Sequence, residues 1–433
     1  MATSSTKVDD KMNKHITLLK DIGKISESVM QYIKSLLIVG RNIPDICLLG
    51  DRYIKEAVKK VYTRVQNKGI AFPTTISPNN IVSNFAPLKN VVYRLREGDI
   101  VKVEFGIHMD GYPIMSAKTF VINTLKHKIM DKRADVLLAV NIATKCLMNR
   151  ISPTTKWQDV KRIIDMVALE FDCFPIYDLE LAQLGRNKLY EQKNGDRDNK
   201  YSILLPTGPG IVGGEPSSDA NDDDKKKNEA GASHGTLWSF NIAMSSCNGD
   251  KMEADYVKPS IYEKVFGAPH YSLKMKASHQ VLSTISSSKS SGFPFSVNIF
   301  TDDIKTGTSS SDDEEKKASQ GEEVKLGEEV AESPLSTSSR MGLKECFDHG
   351  LINNFRVLEI DENDFVARSR FTIFFRKDNN SIIFLGGNPI VDLENVGRLK
   401  KIENKRIIKM LSGKDASKDS KNDDEKKEKD EKD

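Results

Sequence analysis

The chain has 433 residues, of which 38% are hydrophobic and 29% charged, with a formal net charge of +3 at pH 7. It is long for one domain, rich enough for a large core, and has no apolar run of about eighteen residues that would span a bilayer. The first ten residues are polar, so no secretory signal is expected. Five scattered cysteines without a CxxC pair (Cys47, Cys146, Cys173, Cys247, Cys346) exclude a disulfide framework or zinc ribbon and point to a reducing compartment.

The periodicity of Leu19, Ile22, Ile25, Val29, Ile33 and Leu36 predicts a long amphipathic helix over 11–39, after a flexible 1–10. A second helix is expected over 42–62, with Pro44 in its first turn and Lys55, Lys59, Lys60 and Arg64 on its polar side. From 69 to 125 the pattern changes to strands. Val101, Val103, Phe105 and Ile107 alternate with Lys102, Glu104, Gly106 and His108, and Asp110-Gly111 signals a tight hairpin returning through 112–122. Helices are expected over 131–149 and 155–171, and short strands at 201–205 and 236–245. A mixed section follows to 358, then a hairpin of 364–376 with 381–385, and a basic helix over 394–411. Helices lying between two sheet-rich segments make an α+β fold with antiparallel pairing.

The small net charge conceals segregation. Glu215 to Glu229 is net −3, Thr301 to Glu332 net −7 and Ser412 to Asp433 net −2, leaving +15 for the remainder. The three segments read as solvated and disordered, the first two as insertions (215–229 and 301–332) and the last (412–433) as a charged tail. The basic remainder reads either as an ordinary lysine-rich surface or as a footprint for a polyanion.

The central hairpin can be built geometrically. With Asp110 and Gly111 as the turn, Met109 opposes Tyr112, Gly106 opposes Met115 and Glu104 opposes Ala117. Positions 104 and 115 are then diagonal neighbours on one face, roughly 7 Å apart. Two carboxylates there would bracket a pair of divalent ions; this chain has Glu104 and the thioether of Met115.

Ala71-Phe72-Pro73-Thr74 with Asn79-Asn80 after it, and the Asp99–Gly106 strand, resemble motifs of type-2 methionine aminopeptidases. Gly69–Thr74, Arg133-Ala134-Asp135-Val136, Cys173–Ile176, Tyr271–Lys276 and Val366–Thr372 resemble more closely the proliferation-associated, or ErbB-receptor-binding, protein family. The resemblance covers about residues 10 to 410 and implies the pita-bread fold of peptidase family M24, with a type-2-like inserted subdomain at about 255–358 and no catalysis. Under it, the substrate-loop histidine falls on Asn84. The metal ligands fall on Glu104, Met115, Ala182, Asn241 and Arg370. A dinuclear hydrolase needs anionic oxygens or neutral imidazoles. Ala182 offers nothing, Met115 is soft, and Arg370 is a fixed cation able to pair with Glu104. No metal and no cofactor are expected.

Other chemistry is weak. Gly208-Pro209-Gly210 and Gly213-Gly214 lack the GxxxxGK[ST] phosphate loop, there is no GxSxG elbow, and the seven histidines show neither HExxH nor HxxxH spacing. In Leu273-Lys274-Met275-Lys276 a strand would turn both lysines one way, and the closing helix would present Lys400, Lys401, Lys405, Arg406 and Lys409. The resemblance makes these residues candidates for RNA or ribosome contact, the alternative being a solvated surface. The relatives' continuous lysine tail is replaced here by alternating charges. Ser309, Ser310 and Ser311, each with an acid three residues on, suit an acidophilic kinase.

The expected function is a non-catalytic adaptor, monomeric and without membrane contact, in cytoplasm and nucleus, including the nucleolus. It would associate with ribosomes and ribosomal RNA in ribosome biogenesis, translation or growth regulation, with protein partners in nucleus or signalling. The alternatives are a metal-dependent type-2 methionine aminopeptidase and a histone- or chromatin-binding pita-bread module.

Overall fold

The computed structural model describes residues 2–123, 125, 127–152, 155–177, 181–189, 235–248, 251–266, 268, 271–288, 292–302, 335–376, 379–397 and 400–412. The expected strand at 201–205, the glycines at 208–214, the acidic segment 215–229, nearly all of 301–332, Ser309 to Ser311 and the tail beyond Ser412 lie outside the described residues.

An eight-stranded antiparallel sheet organises the molecule. Its strands are β1 (Lys68–Pro78), β3 (Ile100–Met109), β4 (Tyr112–Val121), β13 (Val366–Arg376), β7 (Gly235–Ser245) and β5 (Phe174–Pro175), in that order. β14 (Ser381–Leu385) pairs with β13, and β6 (Leu181–Leu184) with β7. The β3–β4 hairpin has the expected register, Glu104 opposite Ala117 and Gly106 opposite Met115. Its turn holds Asp110 and Gly111 at φ +51° and +79°, the left-handed pair that a two-residue hairpin loop demands.

Two helix pairs cover one face of the sheet. Helices α1 (Ala2–Leu36) and α2 (Ile43–Lys59) pack Leu19, Ile22, Val29, Ile33 and Ile54 with Val101, Val103, Phe105 and Ile107. Helices α3 (Lys132–Arg150) and α4 (Trp157–Glu170) pack Val136, Leu137, Val140, Ile164 and Val167 with Phe240, Ile242, Phe371 and Ile373. Because side chains alternate across a strand, the other face receives Lys102, Glu104, Ser239, Asn241, Arg368, Arg370 and Thr372. Every residue of β3 is buried, Lys102 and His108 included. β3 lies inside the sheet, and its polar face is itself covered.

A smaller unit covers part of that face. β9 (Ile261–Lys264) pairs with β10 (Phe295–Ser296) and β11 (Ile352–Phe355). Helices α5 (Lys276–Ser287) and α7 (Thr337–Asp348) pack on one another, with α6 (Ile299–Asp302) beside them, around a core of Val281, Ile285, Leu343, Cys346 and Ile352. The ring of Phe293 lies 4.5 Å from that of His108. A third sheet joins β2 (Ile81–Ser83), β12 (Leu358–Glu359) and β8 (Met252–Glu253). Among the described residues no helix is long and apolar enough to cross a membrane.

Three expectations need correction. Helix α1 begins at Ala2, not near residue 11. Residues 271–275 are not a strand: both Glu345 carboxylate oxygens accept from the backbone N–H groups of Lys274 and Met275 and from Ser278 Oγ, turning the chain into α5 at Lys276. The basic helix of 394–411 is reduced to α8 (Lys405–Leu411), started by Asn404, whose side chain accepts from Arg406 N. Upstream, Val396 forms a bridge with Ile129 and Gly397 N donates to the Ile129 carbonyl, pairing that competes with helix.

Candidate functional site

Register alone assembles the site. Glu104 opposes Ala117, Ala117 opposes Arg370, and Arg370 opposes Asn241, so one lateral row crosses β3, β4, β13 and β7. Ala182 opposes Ser239 from β6, at the neighbouring row. Met115 is buried opposite Gly106, where a Cβ would fall 2.5 Å from the Met115 sulfur. The thioether therefore lies over the glycine.

Glu104 is the centre of the row. Arg368 grips it with both arms, Nη1 to Oε2 at 2.7 Å and Nη2 to Oε1 at 2.8 Å, while Arg370 Nη1 donates to Oε1 at 2.8 Å. The guanidinium Nε atoms are held from behind, Arg368 by Asn241 Oδ1 and Arg370 by Ser239 Oγ, each at 2.7 Å. Glu104, Arg368 and Arg370 are 2%, 4% and 6% exposed, which leaves the three charges to one another. Burial pulls the Glu104 carboxyl upward, but Arg368 and then Arg370 outweigh it and hold the group below its ordinary value. Below the pair, Lys102 donates to the Asn79 carbonyl at 2.6 Å; burial, with Arg368 nearby, drives its ammonium well below the usual lysine range.

Of the residues picked from the sequence, Glu104 and Arg370 meet directly, Asn241 lies opposite Arg370 and reaches Glu104 only through Arg368, and Met115 and Ala182 lie on adjoining rows. Asn84 belongs to another neighbourhood: its side-chain amide donates to the Arg356 carbonyl, at the edge of the third sheet. Arg368, Lys102 and Ser239 were missed. A signal existed, because Arg368-Ser369-Arg370 and Lys102-Val103-Glu104 place their charged pairs two apart, hence on one face of a strand.

A dinuclear metal site does not fit these residues. The one carboxylate already accepts three charge-assisted hydrogen bonds, and two guanidinium cations border the space where dications would bind. Elsewhere among the described residues, Cys247, Asp361 and Asp364 bring three ligand atoms within 4.8 Å of one another. Asp364 there already accepts from Lys132 Nζ at 2.9 Å and Ser246 Oγ at 2.8 Å. His15, His108 and His349 pack against aromatic rings.

The basic candidates form two separate groups. Lys274 and Lys276 are exposed where the chain enters α5, and Lys401, Lys405, Arg406 and Lys409 are exposed at or before α8. Lys400 pairs with the exposed carboxylate of Asp172 at 2.9 Å.

Residues 17–190 match the model of metallopeptidase family M24. A curved DNA-binding protein of Schizosaccharomyces pombe is 29% identical over 420 residues, covering 95% of this chain and 93% of its own. ErbB-3 binding protein 1 of Solanum tuberosum is 28% identical over 361 residues, covering 83% of this chain and 78% of its own. The solved structure of a thermophilic Arx1 shares the fold with a TM-score of 0.67 at 22% identity, over 91% of this chain and 96% of that one. The chain thus has the pita-bread fold, matches family M24 over residues 17–190, and is similar to proteins named ErbB-3 binding protein 1 and proliferation-associated protein A, the group its motifs resemble.

Proposed function

We propose that this protein is a non-catalytic M24 relative that acts as an RNA- and ribosome-associated adaptor in cytoplasm and nucleus. The observation that carries the first half is the clamp of Arg368 and Arg370 on Glu104: both carboxylate oxygens are consumed by guanidinium groups. The second half is supported by the segregated charge of the chain and the exposed Lys274, Lys276, Lys401, Lys405 and Arg406. The name of a relative matched along 95% of the chain, a curved DNA-binding protein, points to the same class of polyanion. A histone-binding role would draw on acidic segments that lie outside the described residues, and no observation favours it.

Elemental analysis of the purified chain, with turnover of Met-Ala-Ser peptides, tests the non-catalytic half. The expected outcome is no stoichiometric transition metal and no cleavage, in the wild type and in Met115→Asp alike, because one added carboxylate leaves both guanidinium groups in place. Two metal ions per chain with peptide turnover would overturn the reading. Co-sedimentation with ribosomes tests the other half.

A further inference from the structure

A cavity of about 460 Å³ lies between α2, strand β1 and the inserted unit, at the outer edge of the main sheet. Its volume is that of a small-molecule site, and no residue of the Glu104 clamp lines it. Nothing in the function proposed above uses it.

The lining is mostly apolar. Leu48 and Val58 come from α2, Ile70 and Pro73 from β1, and Phe295 and Ile299 from the inserted unit. The charged groups around it are occupied by the fold. Asp51 Oδ1 accepts from Thr74 N at 2.7 Å, tying α2 to β1. Lys68 Nζ donates to the carbonyls of Val61 at 2.5 Å and Tyr62 at 3.1 Å, closing the chain after the C-terminus of α2. Arg52 and Lys55 have interactions of their own within the protein, and so do Ser288 and Asn298. A charged ligand would leave water for at most the exposed Lys59, and an exposed charge returns little of the hydration lost.

Ser296 is different. It lines the cavity and is 8% exposed. Its place is set by pairing and not by a loop, because β10 holds it opposite Ile261 of β9. Its Oγ accepts from Asn298 N at 3.3 Å, and among the described residues nothing accepts its hydroxyl proton. A buried donor with its proton unused is what an acceptor on a ligand satisfies.

We propose that this cavity binds an uncharged, mainly apolar small molecule carrying one carbonyl-type acceptor, with its body against Val58, Ile70 and Phe295 and its acceptor at Ser296 Oγ. Burial of the apolar body supplies most of the affinity, and the hydroxyl selects among bodies of like shape. The site is therefore distinct in chemistry from a nucleic-acid surface, which needs cations and no lining.

The test titrates full-length protein with 6-propionyl-2-(dimethylamino)naphthalene, an uncharged aromatic ketone whose emission brightens and shifts to the blue on leaving water. 2-Acetylnaphthalene, 2-ethylnaphthalene and 2-naphthoate then compete with it: one ring system bearing a carbonyl, no acceptor, or a carboxylate. The expected result is one saturable site per chain, displaced by the ketone and the hydrocarbon and far less by the carboxylate. In Ser296→Ala the ketone should weaken by about fivefold while the hydrocarbon is unchanged, since one hydrogen bond is lost. A merely loosened cavity would weaken both together. Ile70→Trp should abolish dye binding by filling the lining, and melting curves check that both variants fold. If Ile70→Trp misfolds, the ketone-to-hydrocarbon ratio in Ser296→Ala still decides. Absence of saturable binding, equal displacement by 2-naphthoate, or an unchanged ratio in Ser296→Ala would each overturn the proposal.

Discussion

Glu104, Arg368 and Arg370 form a buried clamp in which two guanidinium groups hold one carboxylate. A carboxylate between two buried guanidinium groups is stable only as a set, because removing one partner leaves charge in a medium that cannot solvate it. Glu104→Gln should therefore cost about 3–5 kcal/mol of folding free energy, read as a shift of the denaturation midpoint. A loss below about 1 kcal/mol would mean that water reaches the clamp. The same clamp sets an acid limit. Its carboxyl is held below 4.5, so its contribution is complete above that pH and disappears as pH falls through the lower folded value. His108 acts earlier. Burial under Phe293 lowers its imidazole to about 3, whereas the unfolded chain protonates it near 6.5. The unfolded state then binds the extra proton, and stability falls with acid by about 1.4 kcal/mol per pH unit from 6.5 downward until about 3. Denaturation midpoints between pH 6.5 and 5, where carboxylates barely titrate, should show this slope in wild type and lose it in His108→Phe.

At the scale of elements, the β3–β4 hairpin depends on Gly106. A Cβ there would lie 2.5 Å from Met115 Sδ and 2.9 Å from Phe72 N, so Gly106→Ala should destabilise by about 1–3 kcal/mol through overpacking. Met115→Ala added to it should restore only part, because the Phe72 backbone cannot withdraw; full rescue in a double-mutant cycle would mean that the thioether is the sole obstacle. This hairpin was also the most legible element. Asp110-Gly111 fixes the turn, the turn fixes the register, and the register places 104 beside 115 without further information. The pairing of Arg370 with Glu104 was legible through the family resemblance. For Arg368 only its placement on the face of Arg370 was legible; its grip on Glu104 depends on which strand lies beside β4, and strand order across a sheet is a long-range fact. The burial of Lys102 was not legible either: alternation records the two faces of a strand but not whether a second layer covers the polar one. The turn at Lys274 was not legible, because the side chain that makes it, Glu345, lies 71 residues away. The helix expected from 394 was overridden by the pairing of Val396 and Gly397 with Ile129.

The whole molecule carries its charge unevenly, and that makes a single measurement informative. The three acidic segments are net −3, −7 and −2, which leaves +15 for the remainder of the chain. If the folded body binds ribosomal RNA, affinity should fall steeply with salt, since each neutralised phosphate releases counterions with a slope of about 0.7–0.9 in log–log form. Lys274 and Lys276 are exposed at the start of α5, on the inserted unit, whereas Lys405 and Arg406 are exposed on α8, which packs against α3. Charge reversal at each pair separately therefore asks which surface meets the polyanion. Lys274→Glu/Lys276→Glu should weaken ribosome co-sedimentation and flatten the salt slope by about two phosphate contacts, with little change in melting temperature, because exposed charges contribute little to folding. Lys405→Glu/Arg406→Glu should act in the same direction, and Lys400 should matter less because Asp172 already holds it. Deleting 412–433, net −2, should do little, since that segment would itself repel phosphate. Removing 301–332 should tighten binding by lifting its −7, and phosphate on Ser309, Ser310 or Ser311 should loosen it. The titration is run at several salt concentrations for every variant. Loss of binding on deleting the tail, with both charge-reversal pairs behaving like wild type, would move the contact from the folded body to the tail.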